Sequence, residues 1–304
     1  MKTVNFLLLF FFFISDTTAQ DSSFTQQEII YGRKDGMALT MIHLAPKKVN
    51  GKAILRVISG NWVSNNNRLS NYISGSQFYM EKGYSVFLVM HGSQPKYAIP
   101  DQVNDIKRAV RFIRYNAKSY GIDPGHIGIN GASSGGNLSL LVATADDKME
   151  MNSKDPVDRV SSRVQAVAVY FPPTDFFNWG VPGGALYKNE KLLSLAKVAG
   201  AFDFRVYSDS ATAYLPVTDT TKRINIYRET SPIYAVTSDD PPVLIFHGDK
   251  DRTVPLQQTE SILAKFKENK VPNQFVLKKD GGHGWPADIS ESKQIIDWFD
   301  KYLK

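Results

Sequence analysis

The sequence predicts an α/β fold: a mostly parallel central sheet with helices on both faces, an antiparallel N-terminal edge and a cap-like insertion. Three observations lead there. Short apolar runs of strand length alternate with amphipathic stretches of helix length, the rhythm of βαβ units. The first two strand-like runs are joined by a short glycine-bounded turn, which suits an antiparallel hairpin. One segment, 175–230, interrupts the alternation.

Residues 28–47 read as two strands around Gly32-Arg33-Lys34-Asp35-Gly36, ending at Pro46. Ala53 to Ile58 is an apolar strand that stops at Ser59-Gly60-Asn61. A helical stretch over about 69–82 leads through Gly83 to a strand from Tyr84 to Met90. Asp101 to Tyr120 is expected as one amphipathic helix, because Val103, Ile106, Ala109, Val110, Ile113 and Ala117 share a face at 3.6 periodicity. Pro100 stands at its start and Gly121 beyond its end. A short strand around Ile127 and Ile129 meets a glycine-rich turn, and Leu138, Leu140, Leu141 and Val142 open the helix after it. Strands over 164–170, 242–246 and 274–278 follow, with helices over 255–268 and from Ser290. Residues 175–230, rich in aromatics, glycine and short helical pieces, show no clean strand. They are expected over the sheet's carboxyl edge, where open α/β folds bind ligands.

The N-terminus reads as a targeting segment. Met1-Lys2 precedes an apolar run from Phe6 to Ile14, too short to span a bilayer comfortably, and Thr17-Thr18-Ala19 supplies small residues for cleavage after Ala19. Residues 1–19 are therefore expected to be a secretory signal peptide. That leaves 20–304 as one domain without a stable membrane anchor, secreted or periplasmic. Removing Lys2 and Asp16 leaves the formal charge at +6. The excess is scattered, with no basic run interleaved with aromatics, so no nucleic-acid partner is expected. The chain has no cysteine, which excludes disulfides, thiolate ligands, a thiol nucleophile and a lipobox anchor. Nothing in the pattern indicates an oligomeric state.

Gly131-Ala132-Ser133-Ser134-Gly135 fits G-x-S-x-G, a turn sharp enough to push its central serine out at the top of a sheet. A serine hydroxyl is a weak nucleophile at neutral pH and needs a base. Of five histidines, His283 lies in the glycine-flanked loop Asp280-Gly281-Gly282-His283-Gly284-Trp285 after the last predicted strand. That position satisfies the chain order Ser…Asp…His. The imidazole in turn needs an acid to fix its tautomer. The segment after the strand at 242–246 offers Asp249 and Asp251; Asp251 is further into the loop and is preferred, with Asp249 expected to shape the turn.

With these residues in place, the chain resembles the α/β-hydrolases of the bacterial esterase/lipase group, which includes feruloyl-esterase-like and hormone-sensitive-lipase-like acyl hydrolases. The likeness rests on Asp123-Pro124 through Gly136, on Ser231-Pro232-Ile233-Tyr234, on Pro241 through Asp251, on Val254-Pro255 and on Gly282-His283-Gly284. It implies the α/β-hydrolase fold, with Ser133 as nucleophile, His283 as base and Asp251 as acid. Such enzymes usually carry His-Gly-Gly-Gly-Trp after the third strand, whose amides bind the oxyanion. Here Ile58-Ser59-Gly60-Asn61-Trp62 occupies that place. The chemistry uses backbone N–H groups, so Ser134 is expected as one donor and Gly60 or Asn61 as the other. A second departure is His91, where relatives often have arginine. Trp62, His91 and Trp179 are candidate substrate contacts, with Phe176 and Phe177 as further candidates for the pocket wall.

The expected activity is cleavage of carboxylic esters through an acyl-enzyme, with a small-molecule or carbohydrate-linked ester as substrate and no metal or organic cofactor. The resemblance and the leader suggest acetyl or feruloyl esters of polysaccharides. Two alternatives stand beside it. One is a prolyl-oligopeptidase-like serine peptidase, which shares fold and triad order. The other is a non-catalytic binding protein on a hydrolase scaffold, motivated by the altered oxyanion segment.

Overall fold

The computed structural model describes residues 24–286 and 288–304. The expected signal peptide, 1–19, lies outside these residues. Ten strands are described: β1 (Phe24–Lys34), β2 (Met37–Pro46), β3 (Ala53–Ile58), β4 (Ser85–Met90), β5 (Ile127–Ala132), β6 (Ala166–Tyr170), β7 (Arg205–Ser208), β8 (Ala213–Pro216), β9 (Val243–Gly248) and β10 (Asn273–Lys278). Eight of them form one sheet in the order β1-β2-β4-β3-β5-β6-β9-β10. The pairs β1/β2 and β2/β4 are antiparallel and every other neighbour is parallel. The α/β-hydrolase fold and its antiparallel N-terminal edge are as expected.

The strands read as nearly unbroken apolar runs because both sheet faces are covered. Ala53, Leu55 and Val57 of β3 point into one layer, with Ile106, Val110 and Ile113 of α3 (Ile99–Tyr115) and Leu138 of α4 (Ser134–Thr144). Ile54 and Ile58 point into the other, with Tyr79 of the short α2 (Gln77–Glu81) and Trp298 and Phe299 of the terminal helix α6 (Ile289–Tyr302).

Four elements differ from expectation for local reasons. The first turn shrinks to two residues, Asp35 (φ 48°) and Gly36 (φ 78°), the doubly left-handed geometry that matches strand twist in a hairpin. The helix expected over 69–82 divides into α1 (Leu69–Ser74) and α2 at Gly75-Ser76. Arg56, the one charged residue of β3, explains the break. Its guanidinium donates to the Tyr72 carbonyl (3.0 Å) and to Ser76 Oγ (2.7 Å), and Ser76 Oγ donates back to Tyr72 (2.6 Å). Helix α3 begins two residues early because Asp101 sits in its first turn and accepts the Ala98 N–H at 3.0 Å. It ends at Tyr115, where the Asn116 side-chain amide takes the Phe112 carbonyl, and a 3₁₀ turn over Ala117–Tyr120 follows. Finally, the interrupting segment does contain strands. β7 and β8 form a separate antiparallel hairpin, too short and too exposed to show in the hydrophobic pattern.

The C-terminal ends of β3, β4, β5, β6 and β9 lie on one edge because these strands are mutually parallel. The insertion meets the loops on that edge. Asn61 Nδ2 donates to the Ala196 carbonyl, Gln94 Nε2 donates to Lys197, and the Trp62 and Phe202 rings stand 5.5 Å apart.

Candidate active site

Strand β5 runs into Ser133, whose backbone (φ 55°, ψ −123°) is the strained turn the pentapeptide predicts. The glycines serve close approach. A Cβ on Gly131 would fall 2.2 Å from the Gly135 carbonyl oxygen, and one on Gly135 would fall 3.0 Å from that of Val57. The Ser133 N–H donates to the Tyr170 carbonyl at the end of β6 (2.9 Å), and α4 starts at the next residue.

His283 stands in the glycine-flanked loop after β10, with Gly284 at φ 105°. Its Nε2 lies 2.9 Å from Ser133 Oγ and its Nδ1 lies 2.7 Å from Asp251 Oδ2. A carboxylate only accepts, so Nδ1 carries the hydrogen and Nε2 is left to accept from the serine hydroxyl. The ring is 24% exposed, whereas the Asp251 side chain is fully covered. Its Oδ1 accepts the N–H groups of Thr253 and Val254 (2.8 and 2.9 Å). Burial pulls the Asp251 pKa upward, but the N–H groups of His247, His283 and Val254 outweigh it and hold the carboxyl well below the usual range. All three residues of the predicted triad therefore meet, from three different strand ends. Asp249 does not take part: it is exposed, and among the described residues only its backbone N–H is engaged, to the Lys278 carbonyl. The expectation that its side chain shapes the turn gives way to Asp251, which caps that turn itself.

On the other side of Ser133, the loop after β3 makes a tight turn. Gly60 and Val63 exchange both backbone hydrogen bonds at 2.9 Å, with Asn61 (φ 54°) and Trp62 (φ 56°) left-handed between them. This separates the two oxyanion candidates. The Gly60 N–H is spent on the Val63 carbonyl, whereas no partner is recorded for the Asn61 N–H among the described residues. Neither has the Ser134 N–H, at the first turn of α4, a partner there. Ser59 and Ser134 are tied to each other through their buried hydroxyls, Oγ to Oγ at 2.9 Å.

The three candidate substrate contacts fare differently. Trp62 is only 4% exposed: its indole N–H donates to Asn137 Oδ1 (3.2 Å) and its ring packs edge-on to Phe176 and Phe202. It fastens the turn to α4 and forms no pocket wall, because the aromatic needed its one polar atom satisfied once buried. His91 is likewise buried, at 5% exposure, with Nδ1 against the Gly92 carbonyl. Burial, helped by nearby Lys34 and only partly offset by the Gly92 bond, lowers its pKa to about 4. It is a strand-end histidine of the core. Trp179 stays partly exposed, stacked on Phe176, in the segment that Gln257 and Gln258 bind beside the Asp251 loop. Phe176 is fully buried and Phe177 half-buried.

One neighbour was not legible in the sequence. Phe171, the residue after β6, has φ 37° and sets its ring 4.5 Å from that of His283 and 5.5 Å from Trp285. It backs the imidazole. Its position immediately after a core strand was the available signal, but a strand-end phenylalanine is ordinary.

The family model described as BD-FAE matches residues 41–266, a stretch that contains Ser133 and Asp251 and stops short of His283. Esterase LipQ of Mycobacterium tuberculosis is 27% identical over 231 residues, 74% of this chain and 48% of that protein. Acetylxylan esterase of Xylanibacter ruminicola is 32% identical over 114 residues, 36% of this chain and 22% of that protein. The chain thus spans about half or less of the curated relatives it matches. Among solved structures, a truncated carbohydrate esterase from gut microbiota superposes with a TM-score of 0.73 at 25% identity, covering 94% of this chain and 98% of that one. The acetyl ester-xyloside bifunctional hydrolase of Caldicellulosiruptor lactoaceticus shares the fold, with a TM-score of 0.69 at 22% identity over 90% of this chain and 96% of that one.

Proposed function

This chain belongs to the BD-FAE family, and from that membership we propose that it is a serine hydrolase of carboxylic esters that works through an acyl-enzyme. The observation that carries the proposal is the placement of one imidazole within hydrogen-bond reach of both Ser133 and Asp251. Ser133 Oγ attacks the ester carbonyl carbon as its proton passes to His283 Nε2. The Asp251 carboxylate, which stays ionised, holds the resulting imidazolium through Nδ1–H. The tetrahedral oxyanion is taken by the N–H groups of Ser134 and Asn61, and His283 then protonates the departing alcohol. Water attacks the acyl-enzyme in the second half-reaction, giving its proton to the same Nε2 and releasing the acid.

For the substrate we propose acetyl or feruloyl esters on polysaccharide, met by a secreted or periplasmic enzyme. The support is the similarity to proteins named acetylxylan esterase and carbohydrate esterase, together with the leader-like residues 1–19. Turnover of p-nitrophenyl acetate against aminoacyl-arylamides, and acetate release from acetylated xylan, test the reading. Esters hydrolysed faster than amides are expected, with acetate released from the polymer. Faster turnover of the amides would favour a peptidase.

A further inference from the structure

Resting on the esterase reading above, we infer that the side chains of Ser59 and Ser134 form a positioning pair that sets the two oxyanion-binding amides against each other. The two hydroxyls are buried, 2.9 Å apart, and each has the other as its side-chain hydrogen-bond partner among the described residues. They join segments 75 positions apart in sequence. One is the residue before the Gly60–Val63 turn, and the other is the residue whose own N–H follows the nucleophile.

The turn is internally fixed by its two backbone bonds, so it moves as a unit. Its placement relative to Ser133 therefore depends on what ties it to α4. Two ties exist. The Trp62 indole reaches Asn137 one turn along the helix, and Ser59 reaches Ser134 at the helix start, beside the proposed hole. The Ser59 hydroxyl bond supplies a connection that a glycine at this position cannot make.

An oxyanion donor works only within a few tenths of an ångström of its target, so losing the tie costs transition-state stabilisation more than ground-state binding. Neither hydroxyl touches the substrate in this scheme; both act through the amides. The test uses the full-length wild type, Ser59→Ala, Ser134→Ala and the double variant. It measures kcat and KM on p-nitrophenyl acetate and inhibition by phenylboronic acid, whose tetrahedral adduct on Ser133 places an oxygen in the hole.

Each single variant is expected to lower kcat about three- to tenfold while leaving KM within about twofold, the scale of one lost internal hydrogen bond. Boronate inhibition should weaken by the same factor, a readout that general destabilisation would not move. The double variant should be no slower than the worse single one, because the pair acts as a unit and its removal leaves no orphaned hydroxyl. An active wild type with unchanged kcat in Ser59→Ala overturns the inference. So does a fall in kcat without a matching loss of boronate affinity. A wild type with neither ester turnover nor boronate binding contradicts the esterase reading itself, and this inference with it.

Discussion

His247 Nε2 and Asp251 Oδ2 stand 3.5 Å apart, so the carboxylate that receives His283 is flanked by a second, fully buried imidazole. The geometry fixes the His247 tautomer. Its Nε2 also lies 3.0 Å from the Val254 carbonyl, which can only accept, so the hydrogen is on Nε2. Nδ1 then accepts from Thr259 Oγ1 at 2.7 Å. At 3.5 Å the contact with Asp251 is charge–dipole support more than a hydrogen bond. His247 thus ties the acid's loop to α5 (Gln257–Glu268) without reaching the reacting atoms.

Replacing His247 by alanine should therefore cost stability first. The loss expected is about 2–4 kcal/mol, from a cavity and two unmet buried partners. Urea denaturation measures it, and kcat at a temperature where the variant is folded should fall about tenfold as Asp251 loses its support.

Asp251→Asn keeps the shape of the acid but not its charge. An amide can present its NH₂ to His283 and favour the wrong tautomer, so kcat should drop by about three to four orders of magnitude with KM little changed. Steady-state kinetics on a soluble acetate ester checks this, with circular dichroism confirming the fold.

Stability should fall on mild acidification for reasons remote from the triad. Burial lowers the pKa of His43, stacked on Phe87, to about 4, and that of His91 to about 4. A depressed histidine pKa means that the unfolded chain binds protons the folded chain refuses. Their contribution is full above the unfolded value of about 6.5 and is lost as pH falls from there towards about 4. Asp240 acts in the opposite sense: burial raises its pKa to about 6, so the folded chain gains a proton over part of the same window. Asp105, also raised by burial, acts in the same sense as Asp240, so the two histidines leave a net loss concentrated in the upper part of the window. Urea unfolding at several pH values measures the slope. His43→Phe, which preserves the ring stack, should make the loss on acidification smaller.

Trp62→Phe should keep the aromatic packing against Phe176 and Phe202 and lose the bond to Asn137 Oδ1. The buried acceptor is then unmet, at a cost of about 1–3 kcal/mol in unfolding free energy. A denaturation curve with unchanged slope and a lower midpoint is the expected result.

Much of this molecule was legible because its signals are local. Ser133, His283 and Asp251 each sit where a strand run meets a turn, and strand order alone brings those ends to one edge. The sheet could be read from apolar runs for the same reason. What could not be read depends on contacts made only after folding. Arg56 breaking a helix across the sheet, Trp62 turning inward onto Asn137, and Phe171 backing His283 have no pattern of their own in the chain. The choice between Gly60 and Asn61 as donor likewise needed the Val63 pairing, a bond between residues three apart that composition does not announce. The β7–β8 hairpin escaped because its strands are four residues each and bury no consistent face.

The central claim is that Ser133 is a nucleophile activated by His283. The most direct test is labelling of the folded protein with a fluorophosphonate, read by intact mass and peptide mapping. One stoichiometric adduct on Ser133, absent in Ser133→Ala and strongly slowed in His283→Ala, is the predicted result. No adduct on Ser133 in folded protein, or labelling at an undiminished rate without His283, would contradict it.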